Sequence, residues 1–166
     1  MTATATLQVT DFDCLAPAEA VELMLACARI PWWAAAVAEG RPYLARERLL
    51  ANATELAALW SWADVEGALA AHPRIGDRPH GGGEAALSRS EQSGVDGSRA
   101  AELRVVNEAY EERFGRVLLI RAANRSADDI LRIALRRLRM DERSDRVAAT
   151  NELRDIALRR MRGLFA

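Results

Sequence analysis

The stretch "SDRVAATNELRDIALRRMRGLF" (residues 144–165) decides the fold class of this chain. Its apolar residues recur every three or four positions, at Leu153, Ile156, Ala157, Met161 and Leu164. That spacing places them along one side of a helix. The stretch therefore predicts a long amphipathic helix that packs its apolar side against a core.

Other helical patterns precede this one along the chain. "SADDILRIALRRLR" (126–139) predicts a capped helix, and "SRAAELRVVNEAYEERFG" (98–115) predicts another, with Ser98 as N-cap and Gly115 as the terminating glycine. Helical spacing or helix-end signals also occur in residues 15–30, 31–40, 43–60 and 61–73, where Pro17 takes a first-turn position and Ser61 is the expected N-cap.

One short run has a β-like character, and it is too short to imply a sheet. This run is "RVLLIRA" (116–122). The chain shows no repeat and no linker long enough to divide domains. We therefore predict an all-α fold, a single-domain helical bundle that spans residues 1–166.

Composition narrows the class of protein. Half of the 166 residues are hydrophobic, 28% are charged, and the net charge is −1. Such a chain has no overall basic field to hold nucleic acid or an anionic membrane, and no apolar run long enough to span a bilayer. The N-terminal residues lack the pattern of a secretory signal. We expect a cytoplasmic protein with neither a nucleic-acid nor a membrane partner, and with Cys14 and Cys27 reduced.

The sequence contains no lysine, and all 23 of its basic residues are arginine. A lysine Schiff base, and with it the conventional pyridoxal-phosphate mechanism, is therefore excluded. A Walker A loop is excluded as well, because it needs its lysine. We attribute the absence of lysine to coding bias toward arginine and alanine, and the chemical exclusion holds whatever its cause.

Both histidines of the chain lie in "HPRIGDRPHGGG" (72–83), at the start of the longest irregular stretch, residues 73–87. His72 stands where a helix ends, so it could simply complement the negative end of the helix dipole, or it could carry chemistry. His80 is followed by three glycines and is expected in a solvated loop. Two histidines without a close acidic partner are a weak zinc signal, and we predict no metal site.

The segment "SRSEQSG" (88–94) also allows two interpretations. Ser88 and Glu91 have the S-x-x-E spacing of a capping box, which needs no function. A helix N-terminus also gathers backbone donors and a hydroxyl around an anion, and Gln92 adds an amide that donates and accepts. The segment could be a cap, a binding site or both.

Arg160 lies inside the apolar stripe of residues 144–165, whereas Arg159 and Arg162 point away from it. A guanidinium on a buried face needs a partner. That partner could be an inward-facing carboxylate in a structural salt bridge. Alternatively, Arg160 lines a pocket and holds an oxygen atom of a ligand.

Three motifs in order resemble one enzyme family. "HPRIGDRP" is followed by "LSRSEQSGVDG" and then by "VVNEAYEERFG" with a hydrophobic "LLIRAAN". Together they resemble the 2-oxo-4-hydroxy-4-carboxy-5-ureidoimidazoline (OHCU) decarboxylases, and the resemblance covers almost the whole chain. It implies an all-helical bundle, no metal or organic cofactor, and decarboxylation of OHCU to (S)-allantoin in urate degradation.

The resemblance also assigns roles to residues. His72 matches the catalytic histidine, and Glu91 matches the catalytic glutamate. The implied substrate contacts are Pro73, Ser88, Gln92, the backbone of Leu119 and Ile120, and Arg160. Arg159 competes with Arg160 for the last role. The family often has F-G-F-P-F where this chain reads "FGRVLLI", which indicates a different pocket wall.

Two other functions agree less well with the sequence. The arginine-rich "ILRIALRRLRMDERSDR" (130–146) could bind phosphates of a nucleic acid, but acidic residues cancel its charge and no helix-turn-helix is clear. A catalytically dead relative could serve as an interaction module, which the intact His72 and Glu91 argue against. The expected partner is the small-molecule ureidoimidazoline substrate, and the resemblance allows a homodimer.

Overall fold

The computed structural model describes residues 6–75 and 99–166 of the chain. Within these ranges the chain forms helices and no strand, apart from an isolated bridge between Leu7 and Phe165. The helices are α1 (Val9–Cys14), α2 (Pro17–Cys27), α3 (Pro31–Glu39), α4 (Arg46–Ala58), α5 (Trp62–Ala70), α6 (Ala100–Phe114), α7 (Ala127–Leu138) and α8 (Glu142–Leu164). The all-α prediction is confirmed.

Serine caps begin two of these helices. The Ser61 side chain accepts a hydrogen bond from the Asp64 N–H, and the Asp64 carboxylate accepts one from the Ser61 N–H at 2.8 Å. Ser126 and Asp129 make the same reciprocal pair at the start of α7. Hydrogen bonds from these serines lower the pKa of both aspartates. The predicted cap at Ser61 is confirmed.

Gly115 ends α6 as predicted, with a φ of 66° in the left-handed region that glycine tolerates. The other expected cap of this helix, Ser98, lies outside the described residues. The long helix α8 begins two residues before the stretch that predicts it, because Asp141 accepts a hydrogen bond from the Ser144 N–H at 2.9 Å.

The short helix α1 was not predicted from the sequence. Its Phe12 is fully buried, and its ring meets the Phe165 ring edge-on at 5.2 Å between centroids. The N–H of Leu7 also donates to the Leu164 carbonyl at 2.7 Å. These contacts fasten the start of the described chain to the end of α8.

The described core divides into two apolar clusters. The first joins α1 to α5 with α8 and includes Trp33, Leu49, Leu69, Leu119, Leu153 and Ile156. The second joins α6 and α7 and includes Ile75, Leu103, Val106, Leu118, Ile120 and Ile130. Neighbouring residues of the run 116–122 thus belong to different clusters. This run, expected to be β-like, is an irregular segment between the two clusters.

Candidate functional site

His72 follows directly on the end of α5. The helix stops at Ala70, and the His72 N–H donates to the Leu69 carbonyl at 3.0 Å. His72 is 8% exposed, and the half-buried Pro73 follows it. The predicted helix stop at this histidine is confirmed, and the imidazole is held near the protein interior rather than in solvent.

The turn after His72 is anchored on α6 by two side chains. Arg74 makes a two-pronged ion pair with Glu111, at 2.6 Å from its Nε and 2.5 Å from its Nη2. Asn107, one helical turn before Glu111, donates from Nδ2 to the Ile75 carbonyl at 2.9 Å. Two of the motifs that carry the family resemblance, "HPRIGDRP" and "VVNEAYEERFG", are therefore in direct contact.

Asn107 is a functional candidate that the sequence did not reveal. It is 3% exposed, and its Oδ1 accepts no hydrogen bond from the part of the chain that the structure describes. A buried acceptor of this kind is uncommon and is often associated with a site. Asn107 lies in the motif "VVNEAYEERFG", but only the structure shows that its side chain anchors the backbone at Ile75.

Leu119 and Ile120 are both buried. Each of the two peptide bonds that flank Ile120 makes a hydrogen bond with one side chain. The Leu119 carbonyl accepts a hydrogen bond from Arg137 Nη1 at 3.2 Å. On the other side of Ile120, the Arg121 N–H donates to Glu152 Oε2 at 2.7 Å. The backbone that the resemblance places against a ligand is therefore fixed from α7 and from α8.

Arg137 belongs to a buried ionic network around Asp145. Arg137 is 1% exposed and donates from Nε to Asp145 Oδ1 at 2.6 Å. Asp145, fully buried, accepts at Oδ2 from Tyr110 Oη at 2.5 Å and from Arg116 Nη2 at 2.7 Å. Burial and the hydrogen bond to Asp145 raise the pKa of Tyr110 to about 12. Two guanidiniums thus compensate one buried carboxylate.

Arg116 occupies a position where the resembling family often has an aromatic residue. Its guanidinium carbon lies 4.8 Å from the centre of the Trp62 ring, and it also bonds to Glu142 at 2.8 Å. Burial alone lowers the pKa of Arg116, but the hydrogen bonds to Glu142 and Asp145 outweigh it, so the pKa is raised. The expected difference in this wall is therefore a charged residue that is paired with two carboxylates, Glu142 and Asp145.

Arg160 is buried on α8, as its place in the apolar stripe predicts, and is 3% exposed. Its Nη1 donates to the carbonyls of Ala26 and Cys27, at 3.4 and 3.3 Å, in the last turn of α2. These long bonds place the guanidinium at the negative end of that helix dipole. Arg159 is exposed and lines a separate cleft of 390 Å³ with Arg121 and Arg162.

Several described site residues, or residues near them in the sequence, belong to the two apolar clusters. Leu69, three residues before His72, shares the first cluster with Leu119 and with Ile156 of α8. Ile75 shares the second cluster with Ile120. The predicted site residues Ser88, Glu91 and Gln92 lie outside the described residues, as does His80.

Two kinds of feature are absent from the described ranges. Residues 6–75 and 99–166 contain no group of three or more histidine, cysteine, aspartate or glutamate side chains that could hold a metal ion. No described helix is long and apolar enough to cross a membrane. A cleft of 560 Å³ lies between α2 and α3, and none of the predicted site residues that the structure describes lines it.

Comparisons with known proteins identify the family. The OHCU decarboxylase family profile matches residues 13–162. The 2-oxo-4-hydroxy-4-carboxy-5-ureidoimidazoline decarboxylase of Amia calva is 31% identical over 143 residues, which cover 82% of this chain and 82% of the relative. The chain therefore belongs to the OHCU decarboxylase family, and the resemblance predicted from its motifs is confirmed.

Two solved structures share the fold. An OHCU decarboxylase crystallised in the presence of (S)-allantoin superimposes with a TM-score of 0.72 at 22% identity, covering 85% of this chain and 95% of that one. An (S)-allantoin synthase gives a TM-score of 0.71 at 16% identity, covering 96% of this chain and 54% of that one. At these identities the likeness establishes the helical fold alone.

Proposed function

We propose that this protein is a carboxy-lyase that converts OHCU to (S)-allantoin in urate degradation. Membership of the family over residues 13–162 supports the activity. In this chain, the structural observation that supports the activity is the anchored turn at His72. This buried histidine precedes a segment that Arg74 and Ile75 fasten to Glu111 and Asn107.

The chemistry requires the substrate ring to hold an electron pair. When the bond to the carboxylate breaks and CO2 leaves, the electron pair stays on a carbon next to a conjugated imine and carbonyl. A donor directed at the ring oxygen or nitrogen stabilises the developing charge more than it stabilises the substrate. Arg160 and backbone N–H groups of the segment at Leu119 and Ile120 serve this purpose.

A proton must then reach one face of that carbon, because the product carries a new C–H bond at a chiral centre. His72 is the acid/base group, and Glu91 orients or polarises it. Ser88, Gln92 and Pro73 complete the contacts with the substrate. An arginine on the departing carboxylate would mainly stabilise the ground state, so Arg160 is assigned to the ring or the ureido carbonyl.

The reaction as proposed uses neither a metal nor an organic cofactor. The support comes from the sequence, which lacks lysine and offers no convincing spacing of metal ligands. Turnover should survive exhaustive chelation and dialysis, and a loss restored by one divalent ion would contradict the proposal. We further propose a single domain over residues 1–166 and a cytoplasmic enzyme that acts on a small molecule and, as the family allows, forms a homodimer.

The deciding experiment measures the handedness of the product. Purified protein is mixed with freshly prepared OHCU, and the optical activity of the allantoin is followed over time. OHCU decays unaided to racemic allantoin. An excess of the (S) enantiomer therefore demonstrates enzymatic turnover, whereas a rate alone does not. Racemic product at the uncatalysed rate would overturn the proposed function.

Two histidine variants test the assignment of the acid/base group. His72→Asn should lose about 10²–10⁴-fold in rate, which is the usual contribution of general acid/base catalysis. His80→Asn is the matched control, and it should stay within a few-fold of the parent because three glycines follow it. A dead His80→Asn, or a His72→Asn that fails only because it unfolds, would place the site elsewhere.

Glu91→Gln distinguishes a cap from a catalytic group. Glutamine also serves in a capping box, so the loss of stability should be below about 1 kcal/mol. Removal of the charge should nevertheless abolish most of the turnover. Unchanged turnover would return Glu91 to a structural role.

A further inference from the structure

We propose that Arg137 and Glu152 are positioning residues that direct the backbone N–H and C=O of Ile120 toward the substrate. This inference rests on the proposed function, since it concerns recognition of the same ureidoimidazoline. Neither side chain belongs to the motifs that carry the family resemblance, and neither was a candidate from the sequence.

The first of the two peptide bonds is held through Leu119. Its carbonyl accepts the hydrogen bond from Arg137 Nη1 at 3.2 Å. The cis peptide bond recorded in the described ranges is Arg41–Pro42, so the bond between Leu119 and Ile120 is trans. In a planar trans peptide the N–H points opposite to the C=O. The Ile120 N–H is therefore directed away from Arg137.

The second peptide bond is held through Arg121. Its N–H donates to Glu152 Oε2 at 2.7 Å, which fixes the plane shared with the Ile120 carbonyl. The Ile120 carbonyl is therefore directed away from Glu152. One residue thus presents a donor and an acceptor whose directions are set by side chains on two different helices.

Both backbone groups of Ile120 are available for a ligand. Ile120 is buried, yet in residues 6–75 and 99–166 neither its N–H nor its C=O makes a hydrogen bond. Buried backbone groups nearly always have a partner in a working protein. A donor and an acceptor on one residue complement an amide, which the ureido group and the ring of the substrate both supply.

The two positioning side chains are themselves held in place. Arg137 donates to Asp145 and also, from Nη2, to Tyr110 Oη at 3.1 Å. Glu152 accepts from Arg125 Nη1 at 3.1 Å. Groups that are fixed before the substrate binds need no reorganisation during the reaction, which is the condition under which a backbone donor stabilises a transition state.

Glu152 offers the sharper test, because Arg137 lies in the buried network and its variants can unfold. Glu152→Ala removes the acceptor for the Arg121 N–H, whereas Glu152→Gln keeps an acceptor oxygen. Arg125→Met is the comparison variant, since it removes the ion pair with Glu152 and the hydrogen bond from Arg125 Nη1 to the Arg121 carbonyl, and leaves the bond from the Arg121 N–H to Glu152 in place.

We expect Glu152→Ala to lower kcat for (S)-allantoin formation by about 10²-fold, the cost of a small misplacement in a reacting complex. Glu152→Gln should recover most of this loss, and Arg125→Met should stay within about threefold of the parent by the same reasoning. Melting curves accompany each rate. If Arg125→Met loses as much activity as Glu152→Ala, the contacts of Arg125 set the activity rather than the bond from the Arg121 N–H to Glu152, and the inference is wrong.

The amide signal of Ile120 provides a readout besides activity. In a ¹⁵N-labelled protein titrated with (S)-allantoin, this signal should shift in the parent and in Arg125→Met, and stay unshifted in Glu152→Ala. The parent protein could make (S)-allantoin while its Ile120 amide signal does not shift on titration with this ligand. That result would overturn the inference and leave the proposed function intact. A parent that neither makes nor binds (S)-allantoin would overturn both.

Discussion

Asn107 and Ile75 are joined by a hydrogen bond of 2.9 Å, from the side-chain amide of one to the carbonyl of the other, across 32 residues of sequence. The bond fixes the backbone three residues after His72. Because Asn107 is almost completely buried, the Ile75 carbonyl has little access to water that could replace it. The position of the proposed acid/base group therefore depends on a side chain of α6.

Asn107→Asp tests this dependence with a change of almost no volume. A carboxylate in place of the amide removes the donor and faces the Ile75 carbonyl with another acceptor. The free energy of unfolding should fall by about 1–3 kcal/mol, the cost of a buried group left without its partner. Turnover should fall as well, even at temperatures where the variant is fully folded.

Glu111→Gln is the control on the same helix. It weakens the ion pair with Arg74, a partly exposed pair that is worth about 0–1 kcal/mol. Urea unfolding and steady-state rates of both variants show which of the two contacts holds the turn after His72. A Glu111→Gln protein that loses more turnover than Asn107→Asp would show that Arg74, rather than Asn107, holds the turn.

The two carboxylates on Arg116 should differ greatly in their effect on stability. Asp145 is fully buried between Arg116 and Arg137, whereas the Glu142 side chain is 47% exposed. Asp145→Asn leaves the buried Arg137 without its charge partner and leaves Arg116 with Glu142 alone, and it should cost about 3–5 kcal/mol. Glu142→Gln should cost less than about 1 kcal/mol. Urea unfolding checks both values, and equal losses would contradict the burial argument.

Alkaline pH should destabilise the protein through its tyrosines. The chain has two, and burial raises the pKa of both Tyr43 and Tyr110 from 10.0 to about 12. Below pH 10 both residues are protonated in the folded and the unfolded chain. Between pH 10 and 12 only the unfolded chain releases the protons, so stability falls by about 1.4 kcal/mol per pH unit for each tyrosine.

The measurement is a titration of tyrosinate absorbance beside the far-ultraviolet circular dichroism signal. No tyrosine should ionise with a midpoint near pH 10 while the helices remain intact. A normal ionisation before the loss of helicity would show that at least one of the two phenols is open to solvent.

The helices with local signals were predictable from the sequence. Ser61 and Gly115 mark helix ends by their own chemistry, and the stripe of α8 is visible as spacing alone. The helix α1 escaped prediction, because its six residues are held by contacts such as that of Phe12 with Phe165, far away in the sequence. A local sequence pattern cannot predict contacts between residues so far apart in the chain.

The same limit applies to the candidate site. Arg160 was identified because its burial follows from its own helix. Arg137 lies in the arginine-rich run that was considered for phosphate binding, yet it is buried and donates hydrogen bonds to Asp145 and Tyr110. The apolar run at Leu119 and Ile120 read as β-like, since neither its position between two clusters nor its side-chain supports can be inferred from a local pattern.

Arg160 and Arg159 provide the last test, since adjacent arginines on α8 lie in opposite environments. Arg160 is buried against the Ala26 and Cys27 carbonyls, whereas Arg159 is exposed. Arg160→Lys keeps a positive charge near these carbonyls, so melting should change little, but it loses the planar fork that binds a ring or ureido oxygen.

Turnover of Arg160→Lys should fall by about 10²–10³-fold, the usual effect of removing one donor from a developing negative charge. Arg159→Lys should retain the parental rate within a few-fold, because its guanidinium faces solvent and a shallow cleft. Rates and the (S) excess of allantoin are measured for both proteins at one pH. The opposite ranking would assign the ligand oxygen to Arg159, and equal, parental rates would leave Arg160 as a structural residue that seals the end of α2.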